Sequence, residues 1–196
     1  MAASSLDAAA TIQGRAFLDD PLFQFVFPDQ AEREQRLPWV MRIGLAIGVQ
    51  VGHVHTTRGA MLGHAVWLPP GDTHLSDARL AEAGFVEPER HMGESAVARF
   101  GAFMEQASAI HERLLPMPHW YLMILGVDPP LQGRGVGGEL MKLTIANADA
   151  ARLPCYLETA KERNLAFYRK HGFEVAEEHA GVGGGPKMWM MIRRPH

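Results

Sequence analysis

A glycine-rich segment in the second half of the chain has the composition of an anion-binding loop. Four glycines fall within the six residues 133–138, directly before a stretch with helical apolar spacing. Unpaired amides and the positive end of the helix dipole meet at such a helix start, and the anion bound there is most often a phosphate. Only glycine lets the backbone come that close to a ligand. We therefore expect this loop to bind a phosphate group, with Arg134 adding positive charge.

Three interpretations of the loop compete. A glycine cluster is often only a surface turn. Gly133-Arg-Gly135-Val-Gly-Gly138 also satisfies the dinucleotide pattern GxGxxG, and Glu158 follows 20 residues after Gly138. That pattern needs its first glycine at the end of a strand, whereas residues 128–132 intervene here. The third interpretation takes Gln132 as part of the motif and depends on the surrounding elements.

The surrounding sequence predicts a mixed α/β protein with local βαβ units. The apolar run 120–127 predicts a buried central strand, which the two prolines at 129–130 must end. Helical spacing marks residues 7–18, 29–49, 73–115 with a break near Pro88, 138–152 and 164–171. Strands are predicted at 154–159, 173–180 and 187–193, together with a hairpin over 49–68 that turns at Arg58-Gly59.

The predicted hairpin brings three histidines together. A tight turn places His53 opposite His64, with His55 on the same face. This raises the alternative of a metal site, but no acidic residue or cysteine joins the three. We therefore expect ordinary histidines and no metal.

Around the loop the chain resembles the GNAT family of N-acetyltransferases. Gln132-Gly-Arg-Gly135-Val-Gly137 fits the Q/R-x-x-G-x-G/A loop with which that family binds the pyrophosphate of acyl-CoA. Residues 125–129 resemble the family's central strand and turn, 156–159 its next strand, and 164–173 its Y-x-x-x-G-F segment. The match is closest to the puromycin N-acetyltransferase-like branch, which residues 16–29 also resemble.

The resemblance implies one GNAT-like domain over residues 1–196: an α/β fold with a central, mixed, mostly antiparallel twisted sheet flanked by helices. The family opens with a strand, whereas this chain begins at its first predicted helix. The first strand is therefore missing or replaced by a partner. The family's asparagine seven residues before the tyrosine is Lys161 here. Asn164, four before the tyrosine, either contacts CoA or only caps the helix.

The resemblance also assigns a donor site for acetyl-CoA as cosubstrate. The backbone of the central strand pairs with pantetheine where that strand splays from its neighbour, and Gly126 marks the irregularity. The implied cofactor-binding residues are Leu125, Gly126, Val127, Gln132, Gly133, Arg134, Gly135, Val136, Gly137, Gly138, Asn164 and Tyr168.

Acetyl transfer from a thioester to an amine needs a proton donor and a proton acceptor. Tyr168, protonated at neutral pH with an ordinary pKa near 10, is the predicted general acid; its alternative role is core packing. Glu158 is the leading candidate base, and His119 is second. Their alternatives are a surface charge and a strand-edge histidine. An aromatic wall is predicted for the amine substrate, with Phe23, Phe27, Trp67 and His119 as substrate-binding residues.

Composition excludes several classes of protein. The chain has 196 residues, a net charge of −3 and no cluster of lysine or arginine, which argues against nucleic-acid binding. One cysteine excludes an intrachain disulfide. No apolar run approaches the roughly 20 residues that span a bilayer, and the first residues lack the pattern of a secretory signal. We expect a cytoplasmic protein without a membrane partner.

These observations predict an N-acetyltransferase that moves an acetyl group from acetyl-CoA to a primary amine of a small molecule. The amine attacks directly in a ternary complex, and the protein is a monomer or homodimer. Three alternatives remain: a non-catalytic acyl-CoA-binding or sensing module, an acetyltransferase for protein N-termini or lysines, and a nicotinamide-dependent enzyme.

Overall fold

The computed structural model describes residues 3–57 and 62–195. Helices pack on both faces of one sheet. The helices are α1 (Ala3–Ala16), α2 (Pro21–Val26), α3 (Gln30–Val51), α4 (Asp77–Glu82), α5 (Pro88–Met92), α6 (Glu94–Leu114), α7 (Val136–Ala150) and α8 (Leu165–Lys170). The strands are β1 (Val54–Thr56), β2 (Gly63–Leu68), β3 (Trp120–Val127), β4 (Cys155–Thr159), β5 (Glu174–His179) and β6 (Met188–Arg193).

The six strands lie in the order β1-β2-β3-β4-β6-β5. The pair β3–β4 is parallel and the other neighbouring pairs are antiparallel. This confirms the predicted α/β architecture with a mixed, mostly antiparallel sheet. In the described part of the chain, no helix combines the length and the apolar character needed to cross a membrane.

The parallel pair β3–β4 separates soon after it begins. Cα partners join the two strands at Trp120 with Cys155 and at Tyr121 with Tyr156. Beyond Tyr121, β3 stays paired with β2, while the rest of β4 stays paired with β6. The two strands therefore enclose a wedge that opens toward their carboxyl ends, and we call this opening the β3–β4 wedge.

The irregularity in β3 does not lie at Gly126, which corrects the prediction. The register between β2 and β3 shifts at Val66/Trp67, so that Met123 has no partner, and Gly126 pairs regularly with His64. A Cβ on Gly126 would lie 2.0 Å from Gln13 Oε1. The glycine is required because α1 packs against the sheet at this point.

The two faces of the sheet carry separate cores. On the face of α7 and α8, the buried cluster includes Trp67, Trp120, Leu157 and Trp189. The opposite face packs against α1, α3 and α6. Because side chains alternate along a strand, Tyr156 and Glu158 share that second face, whereas Leu157 lies on the first.

The hairpin prediction is wrong in two respects. It started the first strand too early, and it placed the wrong residue opposite His64. Residues 49 and 51 belong to α3, which ends at Gly52 in the left-handed conformation (φ +81°). In the observed register Thr56, not His53, lies opposite His64, and His55 lies opposite Ala65. His55 and His64 therefore point to opposite faces. The predicted turn at 58–59 lies outside the described residues. Among those residues, no three His, Cys, Asp or Glu side chains are grouped to hold a metal ion.

Candidate active site

The glycine loop leads directly into the first turn of α7. Gly133 and Gly135 have φ values of +75° and +82°, which favour glycine. Gly135 is the N-cap residue, and no side chain caps the helix. The first-turn amides of α7 therefore lack helical partners and are free to bind an anion. Gln132 donates from Nε2 to the Val127 carbonyl (3.0 Å), which holds the turn against the end of β3.

Two further glycines bring α8 close to the loop. A Cβ on Gly137 would lie 3.3 Å from Phe167 Cζ, and one on Gly138 would lie 3.0 Å from His171 Cε1. Their small size lets α8 pack on the start of α7. This contact places Tyr168 beside the β3–β4 wedge.

Tyr168 is buried on the α7–α8 face, with its ring against Phe167 and Phe173. Burial raises the pKa of its phenol above the ordinary value, and the negative charges of Asp20 and Glu158 raise it further. No residue in the described ranges forms a hydrogen bond with its hydroxyl group. Tyr168 is therefore protonated at neutral pH, and its proton is available to a bound group.

Glu158 extends from β4 on the opposite face of the sheet. The Tyr121 hydroxyl donates to Oε1, and Oε2 is shielded from solvent. Burial raises the pKa of Glu158 to about 7, and the phenols of Tyr121 and Tyr156 moderate this rise. A carboxylate with that pKa exchanges protons near neutral pH, as a general base must.

A second carboxylate, that of Asp20, lies near the Tyr168 phenol. The sequence analysis did not identify it as a site residue. Its Oδ1 accepts from the Leu22 amide (3.0 Å) and so caps α2. Its Oδ2 lies 4.0 Å from Lys161 Nζ, and the side chain is only 10% exposed. Burial raises the pKa of Asp20. An aspartate directly before a proline is a helix-cap signal. The capping role accounts for Asp20 in the sequence, so no second role was predicted for it.

His119 forms a buried pair with His111 of α6. His119 Nδ1 lies 2.6 Å from the Met117 carbonyl, so Nδ1 must carry the proton. In neutral His119 the Nε2 atom then accepts from His111 Nε2 at 2.7 Å. Burial lowers the pKa of both rings, that of His111 to about 3.

The histidine pair lines a cavity of about 420 Å³ at the start of β3, the end remote from the glycine loop. The His111 ring stacks on Tyr156 with a centroid distance of 3.8 Å. The Tyr156 ring therefore lies between the histidine pair and Glu158. A substrate contact by His119 stays a prediction, and it would be made in this cavity.

The predicted aromatic wall is not formed. Phe23 and Phe27 pack in a buried cluster among α2, α3 and α6. Trp67 is fully buried in the core under α7 and α8, on the other face of the sheet. All three aromatic residues are buried, but they do not share one surface. Side chains alternate along β2, and this turns Trp67 away from Phe23 and Phe27.

Asn164 does not cap α8, which corrects that alternative. Its backbone is already helical (φ −77°, ψ −19°), and its side chain makes no capping bond. Instead Nδ2 donates to Thr159 Oγ1 (3.2 Å) and ties the start of α8 to the end of β4. Gly172, with φ +83°, lies just beyond the end of α8.

Of the backbone predicted to contact the donor, Leu125 and Val127 face the wedge, whereas Gly126 faces β2, which corrects the prediction for Gly126. The Asp128 amide donates to the Leu62 carbonyl of the β2 side, and successive residues of a strand point to opposite edges. The Gly126 carbonyl accepts from Gln13 Nε2 (3.0 Å), and the Val127 carbonyl accepts from Gln132. The Val127 carbonyl keeps a second lone pair for another donor. The structure therefore brings together the glycine loop, the wedge edge of β3, Tyr168 and Glu158.

Comparison with known proteins agrees with this geometry. Residues 80–175 match the family model of the acetyltransferase (GNAT) domain. An uncharacterized N-acetyltransferase of Schizosaccharomyces pombe is 27% identical over 202 residues, which cover 96% of this chain and 78% of that protein.

Two solved structures share the fold over the whole chain. One is described as histone acetyltransferase HPA2 and related acetyltransferase from Corynebacterium glutamicum, with 23% identity, a TM-score of 0.66 and coverage of 100% of this chain and 94% of that chain. The other is arylalkylamine N-acetyltransferase 2 from Aedes aegypti, with 16% identity, a TM-score of 0.67 and coverage of 100% and 97%.

Proposed function

We propose, starting from the match of residues 80–175 to the GNAT acetyltransferase domain, that this chain transfers an acetyl group from acetyl-CoA to a primary amine of a small molecule. The β3–β4 wedge is the observation that carries the proposal. The free amides of α7 lie at its open end, Tyr168 lies on one face of the sheet and Glu158 on the other. A donor entering from the α7 side would therefore meet an amine entering from the α6 side.

Residues 133–138 would hold the pyrophosphate of the donor, with Arg134 supplying a positive charge. Leu125 and Val127 on the wedge edge of β3 would contact the pantetheine arm, and Gln132 and Asn164 would hold the two strands at the open end of the wedge. Acetyl-CoA supplies the reactive thioester. The uncapped helix start and the two left-handed glycines support this assignment.

Glu158 would take the proton from the substrate ammonium group. An alkylammonium has a pKa near 10, so a base is required near neutral pH. The pKa of about 7 supports Glu158 in this role, because half of the carboxyl groups are ionised at that pH. Asp20 adds a second negative charge that would attract the cationic substrate.

Tyr168 would donate its proton to the departing thiolate. Burial raises the pKa of its phenol, so the O–H group is present at neutral pH to donate to the departing thiolate. Its position on the α7–α8 face, where the donor would lie, supports this role.

Direct attack by the amine fits the chemistry of the lone cysteine. Cys155 is fully buried in β4, and burial raises the pKa of its thiol to about 12. An acyl-cysteine intermediate needs an accessible thiolate. A ternary complex of donor, amine and protein is therefore the proposed reaction geometry.

The small-molecule acceptor is supported by the two carboxylates that flank the wedge and by the name of the Aedes aegypti protein, which refers to arylalkylamines. The name of the Corynebacterium glutamicum protein refers to histones, so a protein lysine is the second candidate acceptor. A histone tail would need an extended acidic surface, which favours the small amine.

Several finer assignments accompany this proposal. We place the chain in the puromycin N-acetyltransferase-like branch on its Leu157-Glu158-Thr159 and 164–173 segments, and we treat residues 1–196 as one domain. We also propose a cytoplasmic monomer or homodimer that binds neither nucleic acid nor membrane.

The decisive experiment measures thiol release from acetyl-CoA with a panel of amines. The panel contains arylalkylamines, polyamines, aminonucleosides, amino acids and a lysine-containing histone-tail peptide. We expect release with one class of small amine. Release with the peptide alone would select the protein acceptor, while calorimetric binding of CoA without release would select a binding module. Binding of NADH instead of CoA would overturn the proposal.

A further inference from the structure

A basic groove lies between the exposed face of α7 and the carboxyl end of α8. Its volume is about 520 Å³. The charged side chains that line it are those of Lys142, Asp149, Arg169, Lys170 and Arg193. Four cationic groups and one carboxylate meet here, in a chain whose net charge is −3. The groove is therefore attractive to anions while the chain as a whole is not.

One of these cations has a structural task. Arg193 makes two bonds to the Asp149 carboxylate, at 2.6 and 2.8 Å, and its side chain is only 6% exposed. It also donates to the His171 carbonyl (3.1 Å). This buried fork joins the end of β6 to α7 and forms the floor of the groove.

The remaining cations stand on the rim and are accessible. Lys142, Arg169 and Lys170 are exposed, and the last two form no ion pair within the described ranges. Lys142 pairs with Glu139 on the helix surface, where both side chains are 67% exposed. Such an exposed pair contributes little to stability, so a stronger anion can displace it.

The groove adjoins the glycine loop. The His171 ring, which lines the groove, lies 3.0–3.1 Å from the position that a Cβ on Gly138 would occupy. Gly138 is in the first turn of α7, and Lys142 follows one turn later on the same helix face. The basic rim thus begins about one helical turn from the free amides.

The spacing matches the donor of the proposed function. CoA carries a pyrophosphate and, on the adjoining ribose, a separate 3′-phosphate dianion. A ligand held at the loop by its pyrophosphate would bring the second phosphate within reach of the basic rim. Lys and Arg side chains bind phosphate through charge-assisted hydrogen bonds.

We propose that Lys142, Arg169 and Lys170 bind the 3′-phosphate of CoA in this groove and thereby select CoA over donors that lack this phosphate. The inference rests on the proposed function, because it places the donor pyrophosphate at residues 133–138. It adds a specificity site outside the wedge, formed by residues that take no part in acetyl transfer.

Calorimetry with CoA and with dephospho-CoA tests the inference on the full chain. We expect dephospho-CoA to bind at least tenfold more weakly at 50 mM salt, and the difference to shrink at 300 mM salt because the contacts are exposed. The combined variant Lys142→Gln, Arg169→Gln and Lys170→Gln should bind CoA as weakly as dephospho-CoA and leave dephospho-CoA affinity unchanged. Lys187→Gln, which changes an exposed lysine just before β6, is the matched control.

The outcomes separate this inference from the proposed function. Equal affinity for CoA and dephospho-CoA would overturn the groove assignment and leave the acetyltransferase proposal intact. A preference for CoA that survives in the triple variant would also overturn it, because the 3′-phosphate would then be bound by other residues. Failure of both ligands to bind would reject the proposed function itself. Circular dichroism of the triple variant checks that the fold is retained.

Discussion

The two faces of the sheet present different chemical groups at the β3–β4 wedge. The α7–α8 face offers unpaired backbone amides and exposed cationic side chains. The α1–α3–α6 face offers buried carboxyl, phenol and imidazole groups whose pKa values burial has moved. Backbone amides at a helix start do not titrate, and their ability to bind an anion tolerates changes of neighbouring side chains. Buried ionisable groups depend on each contact around them.

This difference indicates how the two halves of the site divide their work. In the proposed reaction, backbone groups on the donor side would set affinity, and a mutation there should change KM for the donor. Side chains on the acceptor side would set protonation, and a mutation there should change kcat and its pH dependence. Tyr168 crosses this division, because it lies on the donor face and is expected to act in the chemistry.

The largest effect is expected for Glu158→Gln, which removes the proposed base and nearly keeps its volume. We expect kcat/KM for the amine to fall by roughly 10²–10⁴-fold, the usual contribution of general acid–base catalysis. Steady-state kinetics against amine concentration measures it, with the exposed Glu174→Gln as control. If Asp20→Asn shows the larger loss and Glu158→Gln a small one, Asp20 is the base.

Tyr168→Phe tests the residue that crosses the division. The variant keeps the buried ring and loses the proton donor, so kcat should fall by about 10²-fold with little change in the Kd for CoA. Single-turnover kinetics and calorimetry separate the two quantities. A matching loss in CoA affinity, with kcat preserved, would assign Tyr168 to donor binding alone.

Gly135→Ala tests the donor side. The φ of +82° at this position costs an alanine about 1–2 kcal/mol, and relief of that strain would turn the free amides away from the ligand. We expect KM for acetyl-CoA to rise by about tenfold while kcat changes little. Gly101→Ala on the exposed face of α6 is the control, since a Cβ there meets no atom within 4 Å. Equal effects of the two substitutions would contradict a special role for the loop.

The smallest effect is expected in the pH profile. Glu158 must be ionised to accept a proton, so kcat/KM should rise with pH through an apparent pKa near 7 and level off above it. Tyr121→Phe removes a hydrogen bond that stabilises the ionised form, so the profile should move to higher pH and activity at pH 7 should fall by about tenfold or less. A profile that stays in place would show that Tyr121 does not control the base.

The conformation of the glycine loop and of the helix after it could be predicted from the sequence because the signals are local. Gln132, the glycines and the helix that follows are contiguous, and their backbone conformation depends mainly on residue type. Gly172 ends α8 for the same reason. Apolar spacing also placed α1, α3 and α7 within a few residues of their observed ends.

The acceptor side could not be predicted in the same way, because it is assembled from distant segments. His111 on α6 meets His119 and Tyr156 only after the sheet has formed. The wrong hairpin register shows the same limit, since a shift in pairing exchanges the faces of every side chain. Asp20 was hidden by its second role as a helix cap.

The β3–β4 wedge also leaves the inner edge of β3 without a strand partner from residue 122 onward. A donor bound along that edge would act as a surrogate strand, so ligand concentration and folding are thermodynamically linked. At a donor concentration 100 times its Kd, the folded state gains about 2.7 kcal/mol. Hydrogen exchange in β3 should slow accordingly, and the supply of acetyl-CoA in a cell would help to set the lifetime of this protein.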